Sequence, residues 1–286
     1  MLRHIVFLLF ATAAGFVLTS QAAAESDLSR LETADATRGW EGVGRLDMGP
    51  GSFCTAALIS DRLVLTAAHC LFDADSGARI PDAEIEFLAA WRDGRAEAYR
   101  GVRRSVVHPD FVPAQDVSLG RVGVDLAVLE LDRPVRSARI APFATAASPG
   151  RGEAVSVVSY ARDRANAPSL EEVCTVRRKR GDVAVLSCDV DLGSSGAPVF
   201  RLGEAGPEIV SVVSAKGKSE AQDVALAAGL GRAFDTVMAA FQAAPPSVLN
   251  GGGAFGRKAP VVRTQTSGQI GAQTESGGAT AKFLRP

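Results

Sequence analysis

Between Val43 and Gly231 the apolar residues come in short runs separated by turn residues. The runs are Cys54–Ile59, Leu63–Ala67, Glu84–Ala90, Ser105–Val107, Leu126–Leu131, Ala154–Ser159, Val183–Ser187, Ala197–Phe200, Ile209–Val213 and Val224–Ala228. Strands this numerous, with almost no helical periodicity between them, predict an all-β barrel or sandwich. The exception is Arg232–Ala243. There Phe234, Val237, Met238 and Phe241 recur at i, i+3, i+4 and i+7, which lines one face of a helix. Gly231 precedes it and Pro245-Pro246 follow it, so a C-terminal helix docked on a β body is expected.

Both ends of the chain depart from this pattern. Arg3 and His4 precede an almost unbroken apolar run, Ile5 to Leu18, and Ala22-Ala23-Ala24 follow. A positive start, an apolar centre and a small-residue cleavage site predict a secretory signal over residues 1–24, with Glu25 as the mature N-terminus. The run is too short for a membrane span, which needs roughly 20 apolar residues. Export to the periplasm or the extracellular space is therefore expected, with no stable membrane span afterwards. Residues 25–42 read as a polar lead-in. Residues 244–286 are rich in Gly, Ser, Thr, Gln and Ala, a composition that predicts a disordered tail.

Of 286 residues, 47% are hydrophobic, enough for a substantial core. Loss of residues 1–24 removes Arg3 and no acid, leaving a small negative net charge. Nothing in that balance asks for nucleic acid or an anionic membrane. Four cysteines, Cys54, Cys70, Cys174 and Cys188, suit two disulfides in an exported chain. Three pairings are possible, and sequence proximity favours Cys54–Cys70 and Cys174–Cys188. Their spacing is unlike a zinc site, and no metal or organic cofactor is expected.

Three motifs carry the candidate chemistry: LTAAHC ending at Cys70, DLAVLEL from Asp125, and DLGSSGAPVF from Asp191. They order His69, Asp125 and Ser195 along the chain. Nucleophilic catalysis by a hydroxyl needs these three types: a weak nucleophile, an imidazole to take its proton, and a carboxylate to fix the imidazole tautomer. Asp116 is the rival carboxylate, but it lacks the apolar strand that would position it.

On these motifs the chain resembles the trypsin/chymotrypsin-like serine proteases over about Val43 to Ala243. The resemblance implies two packed antiparallel six-stranded β-barrels, about 43–132 and 133–231, plus the helix 232–243. It implies catalysis by His69, Asp125 and Ser195, with the amides of Gly193 and Ser195 as oxyanion donors. It also implies the Cys54–Cys70 bridge, a structural His108-Pro109 turn and a protein or peptide substrate. Ser194 replaces the acidic residue that pairs with a freed N-terminus in trypsinogen-like enzymes, and bacterial glutamyl-endopeptidase-like members also lack it. Ser214-Ala215-Lys216 occupies the place of the substrate-binding strand, where Lys216 stands for a Gly. Asp189, six residues before Ser195, matches the position that selects Arg or Lys in the trypsin branch. The His of glutamate-specific relatives is replaced by Val213. The rival expectation is a secreted binding or regulatory protein that kept the fold and lost turnover.

Overall fold

A short strand, β1 (Leu28–Arg30), precedes six strands that close on one another: β2 (Val43–Asp47), β3 (Phe53–Leu58), β4 (Leu63–Thr66), β5 (Glu86–Ala89), β6 (Ala98–Val107) and β7 (Ala127–Leu131). Their spatial order is β2-β3-β4-β7-β6-β5, and β5 pairs back to β2. This computed structural model describes residues 28–49, 51–114, 117–219, 222–244 and 281–283. The expected signal, the first residues of the lead-in, the rival Asp116 and most of the tail lie outside the described residues. Leu46, Leu58, Leu65, Phe87, Leu129 and Leu131 are buried in the first barrel, the reason β3 and β7 read as near-continuous apolar runs. A single helical turn, α1 (Leu119–Gly123), leads into β7, its first turn capped by the Ser118 hydroxyl accepting from Arg121 N–H.

The second barrel follows β8 (Ala144–Thr145), a two-residue strand parallel to part of it. Its strands are β9 (Ala154–Ser159), β10 (Ser169–Arg180), β11 (Val183–Leu186), β12 (Pro198–Gly203), β13 (Gly206–Ser219) and β14 (Gln222–Gly229). They run in the order β10-β11-β14-β13-β12-β9, and β9 returns to β10, so this barrel also closes. Val155, Val157, Val176, Leu186, Val199, Val210 and Val213 form its core.

The two-barrel, all-β expectation holds, with differences that have local causes. β10 was not among the predicted runs because its sequence, SLEEVCTVRRKR, carries six charged side chains, most of them exposed, on a strand whose other face is buried. β6 begins at Ala98 rather than Ser105, since Arg100, Arg103 and Arg104 mask its alternation. The lead-in contains β1, which pairs antiparallel with Ser169–Glu171 of β10. Within the composition that predicts disorder, Ala281–Phe283 forms a strand, β15, against β13.

Two devices lock the barrels together. Trp40, Phe143 and Phe200 make an aromatic cluster, with ring centroids 5.0 Å apart for Trp40–Phe200 and 4.7 Å for Phe143–Phe200. The helix α2 (Arg232–Ala243) leaves the second barrel and crosses back onto β6 and β7, burying Ala233, Val237 and Phe241. Arg104 of β6 stacks its guanidinium 4.0 Å from the centroid of the Phe241 ring. It also donates to the carbonyls of Phe241 at 3.2 Å and Ala244 at 2.7 Å, groups that the helix end leaves unpaired.

Candidate active site

The turn after β4, Ala68–Leu71, presents His69, and Cys70 within it is joined to Cys54 of β3 with the two Cα atoms 6.3 Å apart. Asp125 stands immediately before β7, where the wholly buried Leu126 to Leu129 run anchors it. Neither carboxylate oxygen of Asp125 faces solvent, and each has a protein donor. Oδ1 accepts from the His69 backbone N–H at 2.8 Å, and Oδ2 lies 2.6 Å from His69 Nδ1. The Ser214 hydroxyl donates to Oδ2 at 2.5 Å. Between Val213 and Ala215 the β13–β14 register slips by one residue, and the extra residue is Ser214. Such a slip re-aims one side chain of a strand. Across the barrel junction, His69 Nε2 lies 2.8 Å from Ser195 Oγ.

The loop that carries Ser195 leaves its strand through two glycines with backbone conformations that other residues avoid. Gly193 has φ +95°, and a Cβ there would meet the Phe53 ring at 2.5 Å. Gly196 has φ +77°, and its Cβ would meet Thr66 Oγ1 at 2.1 Å and the Thr55 carbonyl oxygen at 2.2 Å. The Leu192 carbonyl accepts from Arg162 N–H at 2.7 Å. In a trans peptide the C=O and the following N–H point opposite ways, so Gly193 N–H is turned away from Arg162.

Thr55 of the first barrel holds this loop from below. Its hydroxyl donates to the Gly193 carbonyl at 2.9 Å and accepts from Tyr160 N–H at 3.0 Å, while its own N–H donates to the Ser195 carbonyl at 2.8 Å. Sequence reasoning did not single out Thr55, because a threonine in an apolar strand carries no signal of what lies across from it. Ser194, the neighbour of the candidate nucleophile, is wholly buried. It lies 3.2 Å from the Ser159 hydroxyl and accepts from Asp191 N–H at 3.3 Å.

The expected specificity residues also meet, with company. Lys216 Nζ lies 3.7 Å from Asp189 and 3.5 Å from Asp223. Asp189 is therefore not an isolated anion. Its backbone N–H donates to Glu171 Oε2 at 2.8 Å. Burial pushes the Glu171 carboxyl up to about 7, against the Asp189 N–H, which favours the charged form, and with the Asp189 charge adding to the rise. Nothing in the sequence pattern marked Asp223 or Glu171. Cys174 and Cys188 are joined close by, with Cα atoms 5.1 Å apart. His108 is buried, and burial pushes its imidazole below the ordinary value. That agrees with Nδ1 accepting from Asp110 N–H at 3.1 Å, a contact within its own turn. On the other side of His69, a cavity of 210 Å³ is lined by Phe72, Asp73, Phe111 and Arg121, among others.

The sequence model of the "Trypsin-like peptidase domain" matches residues 54–205, more than half of the chain. The chain is 36% identical over 102 residues to the Suppressor of tumorigenicity 14 protein homolog of Bos taurus, a match over 33% of this chain and only 11% of that protein. The chain thus spans about a tenth of that relative's length. Among solved structures, the fold is similar to a Glu endopeptidase in complex with MPD, with a TM-score of 0.62 at 18% identity over 76% of this chain and 97% of that one. It is also similar to AL20, a thermostable serine protease from an extremophilic microorganism, with a TM-score of 0.55 at 18% identity over 71% and 98% of the two chains.

Proposed function

This chain belongs to the family of trypsin-like serine peptidase domains, and on that premise we propose that it is an exported endopeptidase working through Ser195, His69 and Asp125. The observation that carries the reading is the unbroken chain of contacts from Asp125 Oδ2 through the His69 ring to Ser195 Oγ, 2.6 Å and 2.8 Å long. Asp125 accepts from Nδ1–H and so leaves Nε2 unprotonated, the tautomer that can take the hydroxyl proton. Ser195 Oγ bonds to the scissile carbonyl carbon while its proton moves to Nε2. The oxyanion is held by the amides of Gly193 and Ser195. His69 then returns the proton to the leaving amine, giving an acyl-enzyme, and activates the water that hydrolyses it.

Ser194 cannot form the ion pair that matures trypsinogen-like enzymes. Its contacts with Ser159 and Asp191 serve the same end without a free N-terminal ammonium. We read the chain starting at Glu25 as active without a further cut. The export reading rests on the pattern of residues 1–24 and gains support from the two bridged cysteine pairs.

The test is labelling with a fluorophosphonate together with Ser195→Ala. Turnover is expected to fall on the order of 10⁶-fold, with the label lost. Ser194→Ala is expected to keep the label. A label mapped to Ser194, or a purified 25–286 chain that takes label only after a cut within residues 25–42, would refute the assignments of nucleophile and of activation respectively. A folded chain that hydrolyses no peptide and takes no label would instead favour the binding protein.

A further inference from the structure

β13 has two edges, and the barrel does not use both along its whole length. One edge pairs with β14 from Ser211 to Ser219. The other pairs with β12 only as far as Val212, opposite Pro198. There the chain of β12 turns off into the loop that carries Ser195. Gly196 N–H donates to the Val213 carbonyl at 2.8 Å, and Val213 N–H donates to the Ala197 carbonyl at 2.9 Å. Beyond that point the edge from Ser214 to Gly217 has no barrel strand beside it, and it starts at the residue that holds Asp125. An unpaired edge is a template for an incoming extended segment.

The chain's own C-terminus takes that edge. β15 pairs antiparallel with β13 in the register Ala215↔Phe283, Lys216↔Lys282 and Gly217↔Ala281. β13 runs away from the Ser195 loop, so β15 runs towards it, with its carboxyl end leading. That is the direction in which the acyl side of a scissile peptide must approach the nucleophile. Ser195 itself exposes none of its surface.

We propose that the C-terminal strand Ala281–Phe283 is an intramolecular competitor for substrate, docked by strand addition on the Ala215–Gly217 edge beside Ser195. The inference rests on the peptidase reading for its consequence, but the docking does not. The linker is long enough: the chain between Ala244 and Ala281 could extend to roughly 120 Å, several times the width of a barrel. A tether of this kind holds its end at an effective concentration on the order of millimolar or below. A substrate therefore competes with it openly, and the tail raises KM without changing kcat.

The test keeps the full chain and removes backbone donors from the segment with the double substitution Lys282→Pro and Phe283→Pro. Amide exchange at Ala215–Gly217 is expected to quicken, KM for a peptide substrate to fall about tenfold at constant kcat, and a synthetic peptide of residues 279–286 to restore the higher KM competitively. Equal exchange and equal KM in the two proteins would overturn the inference and leave the peptidase reading standing. Faster exchange with a Ser195 that takes no fluorophosphonate in either protein would keep the docking and overturn the peptidase reading. A KM that rises with protein concentration would assign the occupant to a second copy and overturn the intramolecular form. Loss of Arg285 and Pro286 from the purified chain with KM unchanged by the substitutions would make the segment a substrate, again against the proposal.

Discussion

The first barrel is built from its own six strands alone, whereas the second lets β12 leave β13 beyond Val212 and adds β1, β8 and β15, the last on that vacated edge of β13. The division follows the two tasks. Asp125 and His69, proposed to handle the proton, come from the first barrel, where Asp125 is sealed from water and its oxygens meet donors of fixed geometry. Ser195 and the strand proposed to take a peptide come from the second. Proton transfer gains from a pre-organised, water-free carboxylate, and peptide recognition needs backbone groups with nothing yet attached. Thr55 is the joint: a residue of the first barrel that holds the Ser195 loop of the second by two hydrogen bonds and accepts a third from Tyr160 N–H.

The comparison breaks hardest at Asp125. Asp125→Asn keeps the shape but favours the wrong imidazole tautomer, and kcat is expected to fall about 10⁴-fold with the fold intact. Steady-state kinetics with a circular dichroism control check it. If the first barrel did no more than support the site, the loss would be small.

Thr55→Val tests the joint. It removes the hydroxyl under Gly193 and Tyr160 and leaves a buried carbonyl and amide short of a partner, at about 1–3 kcal/mol. The loop, rather than substrate affinity, should suffer, so kcat is expected to drop about 10–100-fold with KM little changed. Thr55→Ser should restore most of the rate. A KM effect in place of a kcat effect would move Thr55 to recognition.

In the second barrel, an arriving Arg or Lys side chain must compete with Lys216 for Asp189. Lys216→Gly is expected to raise kcat/KM for substrates with Arg or Lys before the scissile bond by about tenfold relative to neutral ones. A cleavage profile on a peptide library reads this. An unchanged profile would show that Asp189 is not at the bottom of the specificity pocket.

The smallest expected effect concerns stability. Glu171 has its folded-state pKa raised from an ordinary 4.5 to about 7. Between those values the folded chain holds a proton that the unfolded chain has lost, so stability falls as pH rises through that window. Glu171→Gln keeps an acceptor for Asp189 N–H and removes the titration. The variant's Tm is expected to gain about 2–4 °C over the parent at pH 8 and nothing at pH 4. An equal gain at both pH values would place the benefit in packing.

The amino-acid sequence by itself determined the all-β class, the α2 helix, the proximity pairing of the cysteines and the candidates His69, Asp125 and Ser195, whereas the two-barrel form followed from the family resemblance of the motifs. Each of the former is written locally, as an apolar run, a 3.6-residue period, or a motif short enough to hold one side chain and the turn that presents it. β10 was hidden because charged side chains on its exposed face break the apolar run from which strands are read. Thr55 and Glu171 were hidden for another reason: their partners lie 18 residues away in Glu171–Asp189 and 138 away in Thr55–Gly193. Only the tertiary structure decided the slip that turns Ser214 onto Asp125, the Lys216 between two carboxylates, and the edge that β15 occupies. An edge is open only because another strand ends there, and which strand ends beside which is settled by barrel closure, not by any stretch of sequence.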